Sequence, residues 1–161
     1  LPALDQALRT HDWNFARMRA VLGRLTAVPE FQYSYMYQLP QNPLCLRVLT
    51  TNLLSDEAWE IETYKTTDGS AQYRVILTDA TSLEIKYIAR VEDPTLWDPL
   101  FADAFVHELA RRAAYAITRN ATLVAELAQQ AETKWKAARS VDGQESRALK
   151  KILSQSFTNV R

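Results

Sequence analysis

The sequence predicts an α+β fold: an antiparallel helical hairpin carrying a small antiparallel β-sheet subdomain, followed by an extended C-terminal tail. Three observations predict it. Residues 31–39 alternate apolar and polar positions at the period of a pleated strand. Residues 93–99 hold two Asp-Pro pairs, after which apolar side chains recur every four residues. Asn120 then stands between two such four-residue patterns, as a cap between consecutive helices does.

Taken in order, residues 2–10 read as a short helix, with Leu4 and Leu8 four apart beside Ala3 and Ala7. The next stretch has two readings. Phe15, Met18, Val21, Leu22 and Leu25 suit a helix, whereas Ala16, Met18, Ala20 and Leu22 alternate with Arg17 and Arg19 as in a strand. Periodicity does not choose between them. From Phe31 the pattern is cleaner: Phe31, Tyr33, Tyr35, Tyr37 and Leu39 share one face, with Gln32, Ser34, Met36 and Gln38 on the other. Pro40 and Pro43 bracket a bend, since each fixes φ and lacks a ladder donor. Further strands are expected over 46–50, 59–64, 73–77 and 83–91, joined by turns rich in Asp, Gly, Thr and Ser. Together, residues 15–91 predict an antiparallel meander with one solvated face.

Two helices follow, over about 95–118 and 121–139. The first places Trp97, Phe101, Phe105 and Leu109 at four-residue steps, and its many alanines let a neighbour come close. The second carries Leu123, Val124, Leu127, Ala131, Trp135 and Ala138 on one stripe. Residues 1–139 form a single domain on this reading. Residues 140–161 read as a tail whose short apolar cluster, Leu149, Ile152 and Leu153, orders on a partner.

Composition narrows the function classes. The 161 residues suffice for one core, and 47% hydrophobic with 24% charged describes a soluble globular chain. No apolar run reaches the roughly 20 residues a bilayer helix needs, so no membrane partner is expected. The formal net charge is zero, so no broad field draws in nucleic acid. Its distribution is uneven, however: residues 53–98 hold ten acids against four bases, and the other segments are mildly basic. Cys45 is the single cysteine, which excludes an intrachain disulfide and fits a reducing compartment.

Signatures of catalysis are missing. There are three glycines and no phosphate-cradling loop. His11 and His107 lie far apart, and His107-Glu108 lacks the second histidine of a zinc-protease helix. Cys45, inside the apolar run "LCLRVL", reads as a buried inert thiol. Asp56/Glu57 or Glu60/Glu62 could serve a glycosidase, but a solvated acidic face accounts for them equally. Asn120-Ala121-Thr122 matches a glycosylation pattern and reads as a polar turn. Arg111-Arg112 and Lys150-Lys151 are doublets without a recognition-helix or zinc spacing. No enzyme, metal or cofactor is expected. What remains is an aromatic surplus of 4 Trp, 7 Tyr and 5 Phe, with Tyr33, Tyr35 and Tyr37 expected both to face the core and to meet a neighbouring subunit.

The residues also resemble a known family. "DWNFARMRAVL", then "FQYSYMYQLPQNPLCLRVL", is similar to the phage head–tail adaptors of the tail tubular protein A (gatekeeper) type, which show Trp-x-Phe-Ala, a Tyr-rich strand ending Tyr-x-Leu-Pro, and a Cys-Leu-Arg-Val-Leu-like strand. "VILTDATSLEIKYIARVEDPTLWDPLFADAFVHELA", "ITRNATLVAEL" and "AETKWKAARSVDGQES" extend the likeness over roughly residues 8–146. The resemblance implies a structural virion protein at the head–tail junction, made and assembled in the host cytoplasm. It implies a homo-oligomeric ring, usually of about twelve subunits, that docks beneath the portal protein, meets the tail nozzle or tube, and passes double-stranded DNA without specific recognition. It favours the strand reading for "FARMRAVL". Because the family opens with a further helical stretch and this chain begins at Leu1, an N-terminal piece is expected to be missing. Under this likeness the acids of 53–98 line the channel or face the tail, while Arg147, Lys150, Lys151 and Arg161 reach the portal. The alternatives are a tail-associated peptidoglycan hydrolase, acting through Glu60 or Glu62, and a generic cytosolic binding module.

Overall fold

The computed structural model describes residues 2–66 and 69–145. The described residues form an α+β fold of three α-helices and six strands. In order these are α1 (Pro2–Thr10), β1 (Arg17–Val21), β2 (Tyr35–Gln38), β3 (Cys45–Thr51), β4 (Trp59–Lys65), β5 (Gln72–Thr78), β6 (Glu84–Ala89), α2 (Pro99–Thr118) and α3 (Ala121–Gln144). Of the stretch 15–22, Arg17–Val21 is the strand, with Met18 and Ala20 packed inward and Arg19 in solvent, while Asn14–Ala16 form a 3-10 turn.

The strands do not form the expected meander. They make two three-stranded antiparallel sheets, β1-β6-β3 and β2-β5-β4, in which β4–β5 is the single pairing between consecutive strands. The reason lies in the links. The bend at Pro40–Pro43 turns β3 back beside its own entry, where the Cys45 N–H donates to the Pro40 carbonyl at 2.9 Å. The segment after β1 crosses to the second sheet, where Arg24 bridges Tyr37 and the Leu25 N–H donates to Met36 at 2.9 Å. The isolated Arg24–Tyr37 bridge links the two sheets on the β1/β2 side, and β3 and β4 are the edge strands at their other sides. The β3 ladder is broken by two register irregularities, whereas β4 pairs regularly from Trp59 to Lys65.

Three apolar clusters stack in layers. Between the sheets lie Leu22, Tyr37, Leu39, Cys45, Ile76, Leu83, Ile85 and Tyr87. Outside the second sheet, Tyr33, Met36, Val75 and Leu77 meet Leu25 and Ala27. Between the first sheet and the helices, Leu46, Ile88 and Val91 meet Leu4, Leu8, Trp13, Phe101, Phe105 and Ala138. An aromatic hub fills this last layer: Phe101 lies 5.0 Å from Trp13, 4.9 Å from Phe15, 5.4 Å from Trp97 and 5.5 Å from Trp135, all with edge-on tilts.

The helix starts follow the caps. Asp93 accepts from the Thr95 N–H and opens a separate 3-10 turn, Pro94–Leu96, while Asp98 accepts from Leu100 and Phe101 and opens α2 at Pro99. The two Asp-Pro pairs therefore make two starts, not one helix from 95. Arg119, at φ 51°, closes α2, and Asn120 caps α3 through the Thr122 and Leu123 N–H groups. Between the helices, Lys134 Nζ meets Asp103 at 2.8 Å.

Residues 140–144, expected to belong to a tail, are helical, and the rest of that expected tail, with Leu149, Ile152 and Leu153, lies outside the described residues. α3 continues to Gln144 because Asp142, 4% exposed, is clasped by the N-terminal region. The Asn14 backbone N–H donates to its Oδ1 at 2.9 Å, His11 Nε2 lies 3.1 Å from Oδ2, and Asn14 Nδ2 donates to its carbonyl at 2.6 Å.

Candidate protein-interaction surfaces

The three tyrosines singled out from the sequence do not share one face. Gln32, at φ 73°, turns the chain, and the strand begins only at Tyr35, so Tyr33 lies outside the period-two register. Tyr33 packs with Met36 in the outer cluster, and Tyr35 and Tyr37 belong to the layer between the sheets. Tyr33 is 9% and Tyr37 1% exposed, which leaves both with little area for a neighbour. Tyr37 uses its polar end internally, donating to the Ala80 carbonyl at 2.7 Å, and the Tyr33 hydroxyl lies beside the Glu60 carboxylate. Burial first, and then the Glu60 charge and hydrogen bond, raise the Tyr33 hydroxyl above the usual phenol range. Tyr35 alone is half exposed, with the Arg24 guanidinium 4.8 Å above its ring. The row serves the core. The other four residues singled out, Arg147, Lys150, Lys151 and Arg161, lie outside the described residues.

Cys45 is buried as expected, and burial pushes its thiol up to about 11, so it stays protonated at neutral pH. Glu60 and Glu62 share a face of β4 in solvent, Glu60 being engaged by Tyr33. His107 Nδ1 sits 2.9 Å from the Asp103 carbonyl within α2, and His11 belongs to the Asp142 clasp. Among the described residues no group of three or more His, Cys, Asp or Glu is placed to hold a metal, and no helix is long and apolar enough to cross a membrane.

The surface that sequence reasoning missed is on α2. Its inner face holds Phe101, Ala104, Phe105 and Ala114. A second apolar stripe faces solvent, with Val106 61%, Leu109 43% and Ile117 77% exposed and the exposed Ala110, Ala113 and Ala116 between them. These positions follow the 3–4 spacing of one helix face. The signal was present in the sequence: assigning Leu109 to the row of Trp97, Phe101 and Phe105 hid the fact that α2 is apolar on two sides. Glu108, its side chain 12% exposed, faces the body beside Gln6, Ala7 and Trp135. Hydrogen bonds from Arg111, opposed by burial but joined by Arg112, hold its carboxyl below the usual range. Arg112 also donates to Gln6 of α1 at 2.7 Å, which braces α2 against the body.

A smaller exposed apolar group lies at the free edge of the second sheet. Leu54 is 69% exposed, Ile61 38% and Trp59 37%; Asp56 and Glu57 lie in the preceding loop, and Glu60 and Glu62 point to the opposite face of β4 from Trp59 and Ile61. Among the described residues none of these acids is ion-paired with a cation. Compared with protein-family models and with curated protein sequences, the chain matches none.

Proposed function

We propose that this chain is a structural, non-enzymatic subunit of a phage particle, a head-to-tail adaptor that forms a ring between the portal and the tail nozzle or tube. Its helical hairpin belongs, on this reading, to a bundle completed by adjoining copies. The observation that carries the reading is the second apolar stripe of α2. A helix that is apolar on both sides is ordinarily buried on both sides, and one side here has no partner among the described residues. The ordered likeness of residues 8–146 to tail tubular protein A adaptors supplies the kind of assembly. On this reading the protein resides in the virion at the head–tail junction, DNA passes through the lumen without base recognition, and Arg147, Lys150, Lys151 and Arg161 contact the portal.

The test is to mix the purified full chain with portal rings of the same particle and to measure mass and image the products. The expected product is a portal ring bearing a second, coaxial ring of this chain. A chain that stays separate from portal rings at micromolar concentration refutes the proposal. Lys150→Glu with Lys151→Glu is expected to weaken docking at least tenfold, with the thermal melt of the free subunit unchanged.

A further inference from the structure

We propose that β4 takes up an extended segment of a partner protein as an added strand, one that alternates basic and apolar residues. The inference goes beyond the adaptor reading and does not rest on it.

The backbone of β4 is open for pairing along one side. The Thr66 N–H donates to the Ala71 carbonyl at 3.0 Å, and on the far side of β5 the Leu39 N–H donates to the Arg74 carbonyl at 2.9 Å. Antiparallel pairs alternate between bonded and non-bonded. Glu60, Glu62 and Tyr64 therefore turn their backbone groups to β5, and Trp59, Ile61, Thr63 and Lys65 turn theirs outward. Among the described residues no backbone hydrogen bond reaches those outward groups. The other edges offer less. The Leu25 N–H already donates to Met36 of β2, two register irregularities break β3, and β1 has five residues. β4 runs for seven residues in unbroken register, without proline or glycine. Such an edge is a template for a further strand.

Charge selects the strand. Glu60 and Glu62 stand on the outer face of β4, beside Leu77 and Val75 of β5, and among the described residues neither is ion-paired with a cation. Glu30 and Glu62 border a groove of about 320 Å³ that includes the apolar Met36, Val75 and Leu77. Side chains directly across from one another on neighbouring strands sit about 5 Å apart, so the incoming residues beside Glu60 and Glu62 are lysine or arginine. Their alkyl stems lie on the apolar ground while their charged heads meet the carboxylates. The other face of β4 carries the half-exposed Trp59 and Ile61, which match apolar residues between the basic ones. Lys65, the one cation of the strand, lies at its end and on that other face.

The same acids disfavour a second copy of β4 as the added strand. An antiparallel self-pairing centred on Ile61 sets Glu60 against Glu62, and one centred on Glu62 sets that residue against itself.

The test titrates a capped synthetic peptide alternating Lys and Val into the full chain and reads hydrogen exchange of the backbone amides. The expected result is saturable binding, with exchange slowed at least tenfold at the outward amides of Ile61 and Thr63. Thr63→Pro removes one outward donor and no bond to β5. It is expected to bind at least tenfold more weakly, while Thr63→Ala binds as the unsubstituted chain does. Glu60→Gln with Glu62→Gln is expected to lose at least tenfold, and a Glu/Val peptide of the same alternation is expected not to bind. Circular dichroism verifies the folding of each variant; where Thr63→Pro does not fold, the exchange rates of Ile61 and Thr63 in the unsubstituted chain decide. Equal affinity for a peptide with all its lysines in one block, binding that leaves the outward amides exchanging as before, or no binding overturns the proposal. A concentration-dependent dimer of the free chain that Thr63→Pro abolishes also overturns it, since a second copy then fills the edge.

Discussion

Asp142→Ala probes the step that holds the two ends of the described chain together. The carboxylate accepts from the Asn14 backbone N–H at 2.9 Å and lies 3.1 Å from His11 Nε2, all with the side chain 4% exposed. A hydrogen bond to a charged acceptor contributes about 1.5–3 kcal/mol, and leaving the partly buried Asn14 donor unsatisfied lies within that range. The His11 contact is partly exposed and adds on the order of 0.5 kcal/mol. The Asn14 side-chain bond goes to the backbone carbonyl and survives the substitution. A loss of about 3 kcal/mol is therefore expected, equivalent to a fall of roughly 6–12 °C in melting temperature for a chain of this size. The assay is urea unfolding followed by circular dichroism, with Glu145→Ala, one turn on and exposed, as the control. A difference between the two variants below about 0.5 kcal/mol refutes the clasp, and residues 140–145 then revert to the loosely held tail expected from the sequence.

Two further outcomes follow from the apolar layer between the sheets. Burial raises the Cys45 thiol from 9.0 to about 11, so the folded state keeps its proton longer than the unfolded one. The stabilisation is complete below pH 9 and is lost as pH rises toward 11. Between pH 8 and pH 10 it falls by roughly 1 kcal/mol, and Cys45→Ala, less stable throughout, is expected to show a correspondingly smaller drop in urea midpoint. Among the tyrosines, Tyr37→Ala is expected to cost about 3–5 kcal/mol, whereas Tyr35→Ala costs about 1 kcal/mol or less. Equal losses in thermal melts of the two variants contradict their different burial.

Local chemistry was legible. The Asp93 and Asp98 caps, the Asn120 break between helices and the strand cores of β3 to β6 all follow from short-range rules, because the interactions that set them span only a few residues. Pairing was not. Which strand lies beside β6 depends on the Pro40–Pro43 bend and on the crossing at Arg24, contacts between residues distant in sequence that no period encodes. Tyr33 shows how a single backbone angle defeats a pattern: with Gln32 at positive φ, a residue two positions from Tyr35 enters a different layer. The end of α3 failed for a related reason. Asp142 and Gly143 lower helix propensity locally, yet the partners of Asp142 come from residues 11 and 14 and override that preference. The α2 surface was legible in principle, since exposed and buried apolar rows are separable on a helical wheel, but only once the inner row is known.

The placement of the tryptophans has an optical consequence. Trp13, Trp97 and Trp135 share the hub around Phe101, in surroundings that shift indole emission to shorter wavelength, while Trp59 lies apart on β4 and partly in water. Trp59, the most exposed of the four indoles, therefore contributes to the red edge of the intrinsic fluorescence from the sheet edge. The molecule carries its own dye there, and quenching by iodide reads the covering of that edge without any label.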